Sequence, residues 1–338
     1  MNTAKTKTDA PELSIIVTMR NEEDVCRAFF ATITPILTGI TDDFEIICVN
    51  DGSADNTLRI LKEIIAGDRR IKILSLTRNF GKELALTAGL DFSSGRAVVP
   101  IDADLQDPPE LIPELVNKWR DGYDVVLAQR ADRSGDSLIK RVTATMFYRI
   151  ANVLNDQPIP ANTGDFRLMD RRVVDALGQF PERTRFMKGL FAWLGFSQTT
   201  VPYTRPVRLA GKSKWGYWKL WNLALEGIFS FSTIPLRLWM YLGFLLGLLS
   251  GGYIIFILTR VFVFGIDVPG YASIIVAILF FSGINMIGLG IIGEYLGRVL
   301  NEVKRRPLYL IDEAIGFDNC SEPATQEVTG ERRRRPKL

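Results

Sequence analysis

Two stretches late in this 338-residue chain restrict its fold severely. Trp239–Leu258 runs for 20 residues without a charge, and Tyr271–Ile292 for 22. In hydrocarbon every backbone N–H and C=O must find a partner within the protein, and uncharged runs of this length do so as helices. At about 1.5 Å rise per residue each can cross a hydrocarbon core of about 30 Å. We therefore expect membrane spans at residues 234–260 and 270–296. The connection Thr259–Gly270 carries one Arg and one Asp, whereas Lys304, Arg305, Arg306 and Arg332–Arg335 follow the second run. With two spans, that asymmetry predicts a multi-pass protein of the inner (plasma) membrane with both termini cytoplasmic. Just upstream, within residues 213–233, Trp218, Trp221, Leu225 and Phe229 recur at helical spacing while Lys219, Asn222 and Glu226 lie off that face. This suits a helix lying in the membrane interface, the alternative being a core helix of the preceding domain. An interfacial helix would hold that domain against the inner leaflet, where a substrate could itself be a lipid.

The part before residue 230 reads as water-soluble. Residues 1–11 have no apolar core, so we expect a disordered start, no cleavable signal and a cytosolic first domain over residues 12–212. Within it, apolar runs recur at Leu13–Met19, Phe44–Val49, Ile71–Leu76, Ala97–Ile101 and Tyr123–Ala128. They are continuous rather than alternating, as parallel strands covered on both faces are. Helical patterns separate them at about Glu23–Leu37, Ala54–Ala66 (Ser53 as N-cap), Lys82–Leu90 and Pro109–Arg120, the last closed by Gly122. This alternation predicts an α/β, Rossmann-like, mostly parallel sheet.

Composition narrows the chemistry. Histidine is absent, which excludes every mechanism built on Ser-His-Asp, Cys-His or His-metal sites. The cysteines Cys26, Cys48 and Cys320 are widely spaced and support neither a zinc site nor a disulfide framework. A net charge of +3, with no basic strip carrying interleaved aromatics, gives no sign of a nucleic-acid partner. No GxGxxG follows the first strand, and no GxxxxGK[ST] occurs, so dinucleotide and P-loop folds are unsupported. Carboxylates, lysines, arginines and metal ions must carry any catalysis.

Ligands of open α/β sheets bind outside the carboxyl ends of the strands. Those ends read TMRNEE, VNDGSADN, LTRNFGK and PIDADLQD. In the last, Asp102 and Asp104 stand two apart on an extended segment and point the same way, offering hard oxygen ligands for Mg2+ or Mn2+. Asp51-Gly52-Ser53 ends the second strand, where a nucleotide base or ribose could be gripped and glycine permits close approach. Asp107 and Glu110, with Pro108 and Pro109, read as the start of the next helix, where negative charge suits the dipole.

The motifs TMRNEED, VNDGSADNT, LTRNFGKELALTAGLD, PIDADLQDPPELI, NTGDFRLMDRRVV and ERTRFMKGLFAW resemble family 2 glycosyltransferases of the dolichyl-phosphate-mannose-synthase type. They are most similar to bacterial GtrB-type polyisoprenyl-phosphate glucosyltransferases, over roughly residues 10–312 and into VPGYASIIVAILF and IGEYLGRV. The resemblance implies a GT-A fold, a nucleotide-sugar donor, a divalent metal and a polyprenyl (undecaprenyl) phosphate acceptor. It implies Asp102, Asp104 and Gln106 at the metal and diphosphate, with Asp104 and Asp165 as catalytic residues. Met19, Asn21, Glu22, Asp51, Asn79, Gly81, Lys82, Asp102 and Ala103 would line the nucleotide-sugar pocket. Arg130, Arg133, Arg208 and Lys214 would meet the acceptor phosphate. Where the family usually has two acids before the glycine of VNDG, this chain has Asn50-Asp51.

A phosphate monoester whose second pKa is about 6 is already a nucleophile near neutral pH. We therefore expect Asp165 to position rather than to deprotonate, and a single displacement to invert the anomeric centre. UDP-glucose is the expected donor, with GDP-mannose or a UDP-aminosugar as alternatives. A processive polysaccharide synthase would carry QxxRW and more spans, and a non-catalytic membrane scaffold would have lost its acids. Gly243, Gly247, Gly251 and Gly283 in the spans would allow homo-oligomers, and a flippase and a downstream transferase are conceivable partners. Residues 297–338 are expected to be a cytosolic tail, basic at its end and drawn to anionic headgroups.

Overall fold

The computed structural model describes residues 10–131, 163–180, 182, 187–204, 234–264 and 270–317. The expected interfacial helix, Arg133, Arg208, Lys214 and the basic end of the tail lie outside the described residues.

The apolar runs form strands β1 (Leu13–Met19), β2 (Phe44–Asn50), β3 (Ile71–Leu76), β4 (Ala97–Asp102) and β5 (Val125–Arg130). The fifth is displaced towards its C-terminal end from the expected Tyr123–Ala128, because Gly122, at φ 106°, turns the chain after the preceding helix. Between them run helices α1 (Cys26–Thr38), α2 (Thr57–Ile65), α3 (Lys82–Phe92) and α4 (Ile112–Arg120), the last preceded by a single 3-10 turn at Pro109–Leu111. Three more strands complete the sheet: β6 (Thr163–Asp170), β7 (Gln198–Tyr203) and β8 (Ile311–Ile315). The order is β7-β5-β6-β4-β1-β2-β3-β8. Strands β4, β1, β2 and β3 are mutually parallel and β5 is parallel to β7, while β6 and β8 run antiparallel to their neighbours.

Both faces of the sheet are covered. Ile15 and Val17 pack with Phe29, Ile33 and Leu115 of α1 and α4 on one side. Ile16, Ile47 and Val98 pack with Leu86, Val173 and Leu190 on the other. Each such side chain, fully buried, contributes roughly 1.5–3 kcal/mol, which is why these strands are largely apolar. At the amino ends of the strands sits one buried charge. Glu45 accepts from Ser14 Oγ (2.5 Å), Lys72 Nζ (2.6 Å) and the Ser94 amide (2.7 Å).

Two long helices, Ile234–Phe264 and Tyr271–Val303, follow. They touch where Gly288 lies against Trp239, leaving no room for a β-carbon. Among the described residues one helical segment, Phe280–Val303, is long and apolar enough to cross a membrane by length and composition. The start of the expected tail is not loose: after the second helix the chain returns as β8 and adds an antiparallel edge to β3.

Candidate active site

Strand β1 has β2 on one side and β4 on the other, so the crevice beyond their carboxyl ends is the switch point where ligands of such sheets bind. Asp102 is the last residue of β4. The antiparallel register Ala97↔Asp170 and Val98↔Met169, continued along β6, brings Asp165 level with Asp102. Like charges opposite one another on neighbouring strands destabilise. Here the first residue of α3 intervenes: Lys82 Nζ lies 2.7 Å from Asp102 Oδ1 and 2.8 Å from Asp165 Oδ2. Burial alone would lower the Lys82 pKa, but Asp165 and then Asp102 outweigh it and hold it well above the ordinary lysine value. The ammonium therefore stays charged and ties three motifs, distant in sequence, to one point.

The turn after β4 is tightly specified. Asp104 Oδ1 accepts the Gln106 amide (3.2 Å), and Leu105 between them is left-handed at φ 54°. That conformation costs an L-residue roughly 1–2 kcal/mol. Ala103, Gln106 and Asp107 are buried. Asp107 is not simply part of a helix start, since its carboxylate accepts from the Tyr203 hydroxyl at 2.8 Å. Glu110 does lie in the first turn, as expected.

Asp51, also buried, uses both oxygens on backbone: Oδ1 accepts the Phe80 amide (2.6 Å) and Oδ2 the Gly81 amide (3.0 Å). It thereby fixes the β3–α3 loop carrying Asn79 and Gly81, directly ahead of Lys82. Gly52, at φ 61°, is required by this contact, because a β-carbon there would stand 2.5 Å from the Arg78 carbonyl carbon. Asn50, in place of a second acid, donates to Ser75 Oγ and accepts the Ser53 amide. Ser53 does not cap α2. Its hydroxyl accepts the Asn21 amide instead, while Asn21 Oδ1 accepts the Ala54 amide and the Glu22 amide reaches Thr57 Oγ1. Asn21 and Glu22 thus lace the β1 and β2 loops together. The Met19 side chain lies in the core beneath them, leaving its backbone at the crevice.

Arg130 ends β5 opposite Tyr203 of β7, and its Nε reaches the Tyr203 hydroxyl at 3.4 Å. The sequence points to Arg130 but to neither Tyr203 nor the inward role of Asp107. The VPYTRP stretch carries no motif, and an Asp before Pro-Pro reads as a helix start.

Among the described residues no three acidic or cysteine side chains converge on one point. Asp102 and Asp104 nevertheless supply two hard carboxylates, a set that suits Mg2+ or Mn2+ when a donor diphosphate completes the shell. Asp102 is 34% exposed and shares its charge with Lys82.

A mostly parallel sheet with one aspartate ending β4, a second in the turn that follows, and a facing acid on an antiparallel strand has the GT-A arrangement of a glycosyltransferase. Residues 14–178 match glycosyl transferase family 2, and the chain belongs to that family. It is 57% identical over 307 residues to an uncharacterized glycosyltransferase of Synechocystis, covering 91% of this chain and 96% of that one. A prophage-derived bactoprenol glucosyl transferase of Shigella flexneri is 48% identical over 303 residues, covering 90% and 98%. The prophage bactoprenol glucosyl transferase homolog of Escherichia coli K12 is 47% identical over 300 residues, covering 89% and 98%. A weaker likeness is to glucosyl-3-phosphoglycerate synthase of Mycobacterium tuberculosis, crystallised with Mn2+, UDP-glucose and phosphoglyceric acid. It is 23% identical, covers 65% of this chain and 78% of that one, and has a TM-score of 0.43.

Proposed function

We propose that this glycosyltransferase is a membrane-held, inverting enzyme. It would move glucose from UDP-glucose to the phosphate of undecaprenyl phosphate at the cytoplasmic leaflet, with Mg2+ or Mn2+ at the donor. The observation that carries the reading is the meeting of Asp102 and Asp165 on one ammonium at the sheet's switch point. The sugar and the lipid come from relatives named bactoprenol glucosyl transferase.

Asp102, Asp104 and Gln106 would hold the metal, which would supply charge neutralisation to the departing diphosphate. Lys82 adds a fixed positive charge beside it. Asp51 acts on the donor through the loop it holds, with Asn79 and Gly81 lining the nucleotide pocket. One phosphate oxygen of the acceptor attacks the anomeric carbon as its bond to the diphosphate breaks, so an α-linked donor gives a β-linked lipid. Because that oxygen carries no proton near neutral pH, Asp165 serves to position, through Lys82, and not to remove a proton. Arg130, Arg133, Arg208 and Lys214 would offset the acceptor's charge, the task for which guanidinium and ammonium groups suit phosphate.

The membrane part rests on the apolar surfaces of both long helices. Phe244, Leu248, Leu249 and Tyr253 on the first, and Ile278, Phe280, Met286 and Ile287 on the second, are each more than half exposed within the chain. A contiguous apolar surface of that extent marks a membrane or partner interface. Two spans, a cytoplasmic catalytic domain and homo-oligomers packed through the spans follow on this reading. A lipid-linked glucose made on the inner leaflet would then need a flippase and a downstream transferase.

The test is incubation of membranes with polyprenyl phosphate, Mg2+ or Mn2+ and a panel of radiolabelled UDP-glucose, GDP-mannose and UDP-aminosugars. Label from UDP-glucose in a chloroform-soluble product is expected, with β configuration by NMR. Label in a polymer, or none with any donor, overturns the reading. Asp104→Asn should abolish transfer and Asp165→Asn should reduce it severely. Near-normal turnover in Asp165→Asn would remove even its positioning role.

A further inference from the structure

Tyr203 touches three of the segments that build the site. It is the last residue of β7 and lies in register with Arg130 of β5. Its hydroxyl donates to Asp107 Oδ1 at 2.8 Å and accepts from Arg130 Nε at 3.4 Å. Its ring packs edge-on against Phe166, centroids 6.4 Å apart, and Phe166 follows Asp165 directly on β6. Tyr203, Phe166 and Asp107 are all buried, at 7%, 1% and 6% exposure. Asp107 in turn follows Gln106, just past the left-handed Leu105 in the turn that holds the paired aspartates.

A hydroxyl set between a carboxylate and a guanidinium gives its proton to the first and its lone pair to the second, and such chains polarise one another when buried. Burial and the neighbouring Asp107 push the Tyr203 pKa up to about 12, so the proton needed for donation stays in place. An edge strand needs none of this for its own stability: β7 already has its ladder with β5. What the contacts add is a fixed distance between Arg130 and the Asp102–Gln106 turn. A bond at Nε also sets the plane of the guanidinium, on which two-pronged recognition of a phosphate depends.

We infer that Tyr203 is a positioning residue for the transfer: through its hydroxyl it holds Arg130 against the metal-motif turn, so that the acceptor phosphate is presented at a set distance from the donor diphosphate. The inference rests on the reading of Arg130 as an acceptor-phosphate ligand, and the experiment separates the two. Binding of polyprenyl monophosphate in detergent, without nucleotide, is measured by titration calorimetry on the full chain. The set comprises wild type, Tyr203→Phe, Arg130→Gln and the double variant.

Tyr203→Phe should weaken binding about five- to tenfold, the loss of one hydrogen bond, with UDP-glucose affinity changed less than about twofold and the thermal midpoint nearly unchanged. In the Arg130→Gln background the same change should have no further effect, since its route through Arg130 is gone. Asp107→Asn, at the other end of the bond, should show the same selective loss at smaller size and serves if Tyr203→Phe does not fold. Additive losses in the double variant, or equal losses for lipid and nucleotide, overturn the positioning role while leaving Arg130 in place. Unchanged lipid binding in Arg130→Gln overturns both the acceptor-site reading and this inference. Selective, non-additive loss without any sugar transfer would uphold Tyr203 as the residue that orients Arg130 at a lipid-phosphate site, and would refute the proposed reaction and with it the role in transfer.

Discussion

Replacing Lys82 by methionine removes the cation that lies between Asp102 and Asp165 while keeping most of the side chain's bulk. The Asp102 contact joins side chains 43% and 34% exposed, so screening leaves it about 0.5 kcal/mol. Asp165 is 18% exposed, and a charge-assisted hydrogen bond there is worth about 1.5–3 kcal/mol. Losing both leaves two carboxylates level on neighbouring strands, and stability should fall by roughly 2–4 kcal/mol. If the loosened Asp165 costs the transition state about 2–3 kcal/mol, transfer drops roughly thirty- to 160-fold. Metal binding should move the other way. Asp102 no longer shares its carboxylate with an ammonium, so Mn2+ without donor should bind about two- to fivefold more tightly, the size of a screened pair. Mn2+ titration followed by electron paramagnetic resonance, beside the transfer assay, reads both effects on wild type, Lys82→Met and Lys82→Arg. Lys82→Arg should recover the metal affinity of the wild type and part of its rate. A Lys82→Met enzyme that transfers at full rate, or binds Mn2+ more weakly than wild type, would refute the idea that one ammonium both restrains Asp102 and orients Asp165.

Gly52→Ala should lower stability by about 1–3 kcal/mol and weaken donor binding, because its β-carbon meets the Arg78–Asn79 backbone at 2.5–2.6 Å. Thermal unfolding and nucleotide titration check it, and an unaffected donor affinity would count against the loop's role. At the opposite end of the sheet, burial would raise the Glu45 pKa, but Lys72, Ser14 and Ser94 reverse this and hold it below the ordinary 4.5. Since the folded value is depressed, its contribution is complete above the unfolded value and fades as pH falls through the folded one. Glu45→Gln should therefore narrow the gap to wild type in thermal midpoint as pH drops from 7 towards 4, and a constant gap would contradict the assignment. In a Cys320→Ser background, Gly270→Cys should react with an impermeant maleimide from outside intact cells and Asp312→Cys only after lysis; labelling of both from one side would exclude the two-span layout.

How far the fold was legible depended on how many faces of each strand are covered. Leu13–Met19 and Ile71–Leu76 are buried nearly throughout, and their boundaries could be read to the residue. Strand β6 hid itself because its interior is polar: Arg167 is 4% exposed and stacks over Phe191 at 4.0 Å, breaking the apolar run. Strand β7 sits at an edge, exposes alternate residues and contains Pro202. Strand β8 is five residues long and follows a helix that reads as a span, so nothing local distinguished it from a tail. The acids of the site could be found from motif and resemblance, but their pairing could not. That Asp165 meets Asp102 depends on the antiparallel register of β6, and no spacing along the chain encodes it. Tyr203 was invisible for the same reason, since its partners Asp107 and Arg130 are 96 and 73 residues away.

The unforeseen strand also bears on the membrane. Strand β8 pairs with β3, so the chain after Val303 is on the catalytic side whatever the helices do. If Phe280–Val303 crosses a bilayer, Tyr271 lies beyond it, and the chain must already have crossed once. Ile234–Phe264, 31 residues long, is the helix available for that passage. Among the described residues, then, these two helices either both cross or neither does. The register adds a direction. Ile311 pairs with Leu76 at the carboxyl end of β3, and the Thr77 amide donates to the Leu310 carbonyl at 3.0 Å. The seven residues Lys304–Leu310 therefore join the end of the second helix to the same edge of the sheet that carries Asp102, Asp165 and Lys82. Fully extended, they span at most about 24 Å. If that helix crosses a bilayer, the tether keeps this edge within about 24 Å of the helix end, which is the placement that the proposed lipid-phosphate acceptor requires.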